Sequence, residues 1–203
     1  AGHAIVYAAV LGKLPKKVTI TSSDHSTGGY VEIESTSDFD NYEIIEYNED
    51  CITVMNTWDI FSKNGAAIRE DFEFLTEDRK SQPIPKSVNV IAPENVFIEE
   101  GAQLEYVTLN ASTGPIYIGK DTEIMEGSVI RGPFALCEGA AVKMSAKIYG
   151  PTTVGPFSKV GGEINNSVLF GFSNKGHDGF LGNSVLGEWC NIGADSNNSN
   201  LKN

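Results

Sequence analysis

The spacing of apolar and polar positions changes twice along the chain. Over residues 1–55 it gives short β-like runs at 3–10, 17–21, 30–34 and 51–55, separated by turn-forming clusters such as Ser22-Ser23-Asp24 and Ser26-Thr27-Gly28-Gly29. Gly28-Gly29 reads as a turn rather than a phosphate loop. From Asn56 the spacing becomes helical. Ile60, Phe61, Asn64, Ala67, Ile68, Asp71, Phe72 and Leu75 recur at steps of three and four, and six of these eight are apolar. The pattern predicts a helical arm over 57–76 that joins two domains. Asn56 or Thr57 would cap it by accepting from the free N–H groups of the first turn, Gly65 is where it would be interrupted, and Pro83 and Pro85 would end it. The Trp58/Phe61 pair reads as core packing.

Past Val90 the period becomes six. Ile118, Ile124, Ile130, Leu136, Val142, Ile148, Val154 and Val160 follow one another at six-residue steps without a break. Four places after each stands Thr122, Ser128, Phe134, Ala140, Ala146, Thr152, Ser158 and Ile164, six of them small. A helix with 3.6 residues per turn would walk such aliphatics around its surface. A hexapeptide β-helix uses the period: three short strands close one triangular coil of roughly 18 residues. The aliphatic then fills the inside of a corner, the small residue lets the chain bend, and successive coils pair in parallel at about 4.8 Å. Ile98/Leu104 read as an earlier, imperfect coil and Leu186/Ile192 as a later one.

Between Val160 and Leu186 the spacing fails: the interval is 26 residues, two more than four hexads. The reading is an inserted loop at 163–185, and insertions on solenoids map to loops, often on the binding face. This stretch holds His177, the third His of the chain after His3 and His25, and an imidazole can accept a proton near neutral pH. Taken alone, His177 reads as a loop residue held by Asp178 or a backbone carbonyl. Asn174, Lys175, Asn191 and Asn200 flank it with donors suited to a sugar phosphate, although Asn is also a turn residue that tolerates left-handed backbone.

Charge divides along the same line as period. Residues 1–117 carry 8 basic and 19 acidic side chains, a net −11; residues 118–203 carry 7 and 8, a net −1. Fifteen of the 21 glycines lie between Gly114 and Gly193. The overall −12 argues against nucleic acid and anionic membrane as partners, yet the glycine-rich half would not repel a phosphate strongly. Three cysteines, Cys51, Cys137 and Cys190, form no CxxC pair and leave an odd thiol, which fits a reducing cytoplasm. No stretch is long and apolar enough to span a bilayer, and residues 1–14 lack a signal peptide's layout. A chain of 203 residues that starts without Met reads as a piece of a longer protein.

The hexads resemble those of the left-handed β-helix acyltransferases. Within that group, Lys175-Gly176-His177-x-x-Phe180-Leu181-Gly182, then Leu186-Gly187 and Asn191-Ile192-Gly193-Ala194, resemble the acetyltransferase half of the bifunctional enzymes that make UDP-N-acetylglucosamine. Trp58-Asp59-Ile60-Phe61, Gly114-Pro115-Ile116-Tyr117-Ile118-Gly119, Ile130-Arg131-Gly132-Pro133, Gly161-Gly162-Glu163-Ile164 and Asn197-Asn198-Ser199-Asn200-Leu201-Lys202-Asn203 resemble the alternate, Bacteroidetes-type pyrophosphorylase/glucosamine-1-phosphate N-acetyltransferases.

The resemblance implies a mainly β fold. Residues 1–55 would be the C-terminal remnant of a nucleotidyltransferase-like α/β domain, 56–87 a helical arm and linker, and 88–203 a left-handed parallel β-helix. It implies that the 2-amine of glucosamine 1-phosphate attacks acetyl-CoA with His177 as general base. Asn191 would contact the sugar, Ala194 would meet the acetyl-CoA thioester through its backbone, and Asn200 would contact the reacting groups. Phe180 stands where these enzymes have a phosphate-contacting Tyr, and Asn165 where they have a Lys on the phosphate. The phosphate would then fall to Arg131, Lys147, Lys159 or Lys175.

The resemblance also implies a cytoplasmic homotrimer with its site between subunits. Mg2+ would serve only the nucleotidyltransferase part, whose Gly-rich loop is absent here. The competing reading is a non-catalytic β-helix that trimerises and regulates a nucleotidyltransferase, favoured by Phe180 and Asn165. A β-helical carbonic anhydrase would need three His on zinc, and the hexads contain His177 alone.

Overall fold

A computed structural model describes residues 52 and 54–198. The β-like runs of the N-terminal stretch and the α/β remnant expected there, apart from Ile52, Val54 and Met55, lie outside the described residues, as does Asn200. The rest is one helix, α1 (Asp59–Thr76), followed by fifteen short strands, all paired in parallel.

The strands form three flat faces. The first is built by β1 (Asn89–Ile91), β4 (Thr108–Asn110), β7 (Val129–Arg131), β10 (Lys147–Tyr149) and the leading halves of β13 (Glu163–Leu169) and β15 (Phe180–Leu186). The second is built by β2 (Val96–Ile98), β5 (Ile116–Ile118), β8 (Phe134–Leu136), β11 (Thr152–Val154) and the trailing halves of β13 and β15. The third is built by β3 (Gln103–Leu104), β6 (Glu123–Ile124), β9 (Ala141–Val142), β12 (Lys159–Val160) and β14 (Asn174–Lys175), with Asn191 bridging to Asn174 beyond it. The chain is therefore a parallel β-helix, as the hexads require.

All eight aliphatics of the unbroken hexad series are 0–2% exposed, as is every residue four places after them. The third residue after the aliphatic makes the corner. Asp121, Gly127, Gly139, Ser145 and Phe157 hold it at φ between 53° and 75°, and Pro133 and Pro151 hold it with cis peptide bonds. The small residue ties the corner down where it has a hydroxyl. Thr122 Oγ1 donates to Gly119 O (2.7 Å), Ser128 Oγ to Lys143 O (3.0 Å) and Ser158 Oγ to Phe170 O (2.8 Å). Corner carbonyls that the ladder leaves unpaired thus find donors inside the protein.

Residues 163–185 are not an inserted loop. They form β13, β14 and most of β15, all in the ladder. The pairings Ile148↔Ile164, Val154↔Leu169, Val160↔Lys175, Ile164↔Leu181 and Leu169↔Leu186 make these the next inward positions. Successive steps from Val160 are four, five, six, six and five residues. The irregularity is thus a loss of corner residues, and Ile164 is an inward corner aliphatic rather than the small residue of a hexad. Two corner residues, Gly161 and Gly162, stand in the coil of β12 where 143–146 stand in the coil before. The ladder tolerates this because pairing fixes the faces, while a corner only has to connect them.

Helix α1 packs on β11, β13 and β15. All eight residues of its predicted stripe are buried or half-buried. Gly65 does not interrupt it: a Cβ there would lie 3.1 Å from Pro151 Cγ, so glycine lets the helix approach the corner. Neither Asn56 nor Thr57 caps it through its side chain. Asp59 reaches back instead, accepting from the N–H groups of Met55 (2.9 Å) and Asn56 (3.0 Å). These bonds lower its pKa, and its charge suits the helix N-terminus. The helix ends well before Pro83, near Asp78 at φ 55°. Trp58 is 58% exposed and packs in no core.

Two polar residues sit in the apolar stripe of α1. Asn64 is buried and accepts from Thr153 Oγ1 at 2.8 Å, while its Nδ2 finds no partner among the described residues. Burial, helped by the neighbouring charge of Glu70, raises Asp71 to about 7. The same burial pushes the Cys137 thiol up to about 12, with the Asp71 charge adding to it. Below pH 4 Asp71 is protonated folded or unfolded and docks α1 without cost. As pH rises toward 7 the unfolded carboxyl ionises first, and that contribution to stability is lost. After allowance for partial solvent screening the loss is about 1–2 kcal/mol. Asp71→Asn should raise the unfolding midpoint at pH 8 by a few degrees and flatten its decline between pH 4 and 7, as followed by thermal unfolding across pH.

Candidate functional site

His177 lies in the four-residue corner 176–179 between β14 and β15. It is exposed, and its ring makes no hydrogen bond with the described residues. The backbone around it is tightly held. His177 O accepts from Lys175 Nζ at 2.6 Å, and Asp178 O accepts from Asp195 N at 3.0 Å. The bridge of Asn174 with Asn191 and the Asp195–Asp178 backbone bond bring the stretch around Ala194 to the same corner one coil on. His177 and Ala194 are both exposed.

On the other side the stack is cut back. The preceding coil turns this corner with Gly161 and Gly162 alone. A Cβ at Gly161 would meet Gly176 O at 2.3 Å, and one at Gly162 would meet Gly179 O at 2.7 Å, so the two coils touch backbone to backbone. The stem of Lys143 lies over this glycine column, its Cβ 3.1 Å from where a Gly161 Cβ would be and its Cγ 3.8 Å from that of Gly176. Lys143 thus runs beside the corner that carries His177. Lys143 escaped the reading of the sequence because its nearness to His177 depends on the shortened corner; its place directly after the inward Val142 is the signal that could have found it.

Asn191 is exposed on the third face, where its Oδ1 accepts from Asn174 Nδ2 at 2.7 Å. Its own Nδ2 is left to donate outward. Lys159, exposed, pairs in register with Asn174, so Lys159, Asn174 and Asn191 form one outward row beside the corner. Phe180 opens β15, half-buried beside Glu163, with its N–H on Asn197 Oδ1 at 2.8 Å.

The remaining candidates lie elsewhere. Asn165 is in register with Gly182, at the far end of the first face from His177. Arg131 is exposed on that same edge, lower in the stack, in register with Asn110. Lys147 faces Glu163 at 3.9 Å. Lys175 is 0% exposed, with its Nζ turned onto three carbonyls, so it does not reach a ligand from solvent as the sequence suggested. The structure therefore gathers His177, Asn191, Ala194 and Phe180 at one end of the stack and leaves Asn165 and Arg131 apart from them.

Comparison with known proteins places this geometry in context. The model of the sugar nucleotidyl transferase family matches residues 6–80, which takes in the N-terminal stretch and α1. Two curated proteins, each named bifunctional protein GlmU and each from a different strain of Thermus thermophilus, are 32% identical over 135 residues. Each alignment covers 54% of this chain and 29% of the relative, so the matched part is under a third of those proteins. No helix among the described residues is long and apolar enough to cross a membrane.

The backbone contact beneath His177 gives a direct test. Gly161→Ala should destabilise the chain by about 1–3 kcal/mol, because its Cβ would drive into a carbonyl of the next coil. Gly193→Ala, with nothing within 4 Å of its Cβ, should stay within about 0.5 kcal/mol of the parent. Denaturant unfolding of the two variants side by side measures the difference.

Proposed function

We propose that this chain carries the acetyl-transfer site of a GlmU-like bifunctional sugar-1-phosphate nucleotidyltransferase/acetyltransferase, of the Bacteroidetes-type branch, acting in the cytoplasm in UDP-N-acetylglucosamine synthesis. The observation that carries the reading is an exposed imidazole, free of partners among the described residues, on a corner whose backbone accepts from Lys175 Nζ and packs against the backbone of Gly161 and Gly162. A base must be accessible to its substrate, and the His177 ring is exposed. In this reading His177 takes a proton from the 2-amine of glucosamine 1-phosphate as the nitrogen attacks the thioester carbonyl of acetyl-CoA. The C–S bond breaks, and the proton passes to the departing CoA thiolate. Asn191 offers its outward amide to the sugar, and the Ala194 backbone lies beside the thioester. Asn200 would complete the contacts to the reacting groups.

The phosphate needs a cation, and Lys143 and Lys159 stand nearer the His177 corner than Arg131. Asn165 and Arg131 would serve a site formed between subunits of a trimer, where the first face of one copy meets the corner of another. Among the described residues no three of His, Cys, Asp and Glu cluster to hold a metal.

A second reading is favoured by Phe180 and Asn165, which lack the hydroxyl and the ammonium that would bind the phosphate: a β-helix that trimerises and regulates the nucleotidyltransferase without catalysis. Two measurements on the complete protein separate the readings. His177→Ala should lower acetyl transfer to glucosamine 1-phosphate by about 10²- to 10⁴-fold while leaving the melting temperature within a degree or two. Calorimetric titration should detect acetyl-CoA; full activity in the variant, or no acetyl-CoA binding, would favour the regulatory reading.

A further inference from the structure

Lys175 occupies a position that the hexad pattern reserves for an aliphatic. It pairs with Val160 in the ladder and is wholly buried. Its ammonium lies 2.6 Å from His177 O, 3.3 Å from Gly161 O and 3.4 Å from Gly179 O, so three protons meet three carbonyls. Burying an ammonium costs free energy that a Val or Ile at this position would not incur. The compensation is local. Where the residue four places after the inward one carries a hydroxyl, as Thr122, Ser128 and Ser158 do, it ties a corner carbonyl. At this corner that residue is Gly179, at φ 118°, with no side chain to donate. A four-residue corner with glycine at both ends would otherwise be held only by the ladder.

We propose that Lys175 is a positioning residue for His177, clamping the 176–179 corner from inside so that the imidazole projects in a fixed direction. The proposal rests on the reading of His177 as the general base. Burial lowers the pKa of this ammonium, and the negative charges of Asp178 and Asp195 offset part of that effect. The lysine that the sequence offered to the substrate thus acts through the base instead.

The test uses Lys175→Met in the complete protein, which keeps the volume and removes the donors. Deuterium exchange read by mass spectrometry should show the amides of 176–180 exchanging at least about tenfold faster, with the lower coils unchanged. The melting temperature should not fall, because an apolar side chain suits the position. Acetyl transfer should lose roughly 10- to 100-fold in kcat with both KM values within about twofold, the split expected when a base is misdirected but the substrates still bind. If Lys175→Met does not fold, Lys175→Gln, with one amide donor, should give an intermediate exchange rate and kcat. Unchanged exchange at 176–180, or a kcat within twofold of the parent, overturns the proposal. If the parent has no acetyl transfer, or His177→Ala keeps it, the functional reading falls and the exchange measurement alone decides the clamp.

Discussion

Each coil of this protein is held by the backbone hydrogen bonds it makes with the coil on either side, and by one inward side chain at the end of each face. Parallel pairing fixes where a strand lies but places no demand on how many residues turn the corner to the next face. Ile118, Ile124, Ile130, Leu136, Val142, Ile148, Val154 and Val160 satisfy the inward demand six residues apart, and all are buried. Beyond Val160 the same demand is met by Ile164, Leu169, Lys175, Leu181 and Leu186 at steps of four to six. The solenoid can therefore vary its corners without losing its core.

That freedom is what builds the candidate site. One coil turns its corner on two glycines, and the next spends four residues on the same corner and puts His177 there. The coil before the glycines also spends four residues there, 143–146, so the glycine pair is the short level of the three. The glycines are needed because each would-be Cβ runs into a carbonyl of the following coil. Shape and rigidity at the site thus come from the same backbone contacts that hold the stack together.

Polar groups are placed inside this frame at a cost. Asn64 and Asp71 sit in the stripe by which α1 docks, one with an amide that finds no partner among the described residues and the other with a carboxyl raised to about 7 by burial. Lys175 is buried in a column of aliphatics. Each trades packing energy for something a hydrocarbon cannot supply, and for Lys175 the return is visible in three carbonyls at one corner. At the other end of α1, Arg79 bonds Glu99 at 2.6 Å and lies over the Phe97 ring, tying the chain after the helix to the first coils.

The β-helix was legible in the sequence because an inward position must be filled by an aliphatic, and a regular coil repeats that need every six residues. The stripe of α1 was legible for the same reason at a helical period. The stretch 163–185 was misread as an insertion because counting residues cannot tell a lengthened coil from several shortened ones; only the pairing of Val160 with Lys175 and of Leu169 with Leu186 decides it. Lys175 was misread because a lysine in a glycine-rich run reads as surface until the register turns it inward. The nearness of Lys143 to His177, the reach of Asp59 past Asn56 and the exposure of Trp58 were likewise decided by neighbours distant or oppositely directed along the chain. The sequence by itself determined the repeat, its inward residues and the residue types at the candidate site, since these follow from burial and spacing. Only the tertiary structure decided which corners shorten and which side chains share one, because hydrogen bonding between coils sets register, and register depends on residues fifteen to twenty-one places apart.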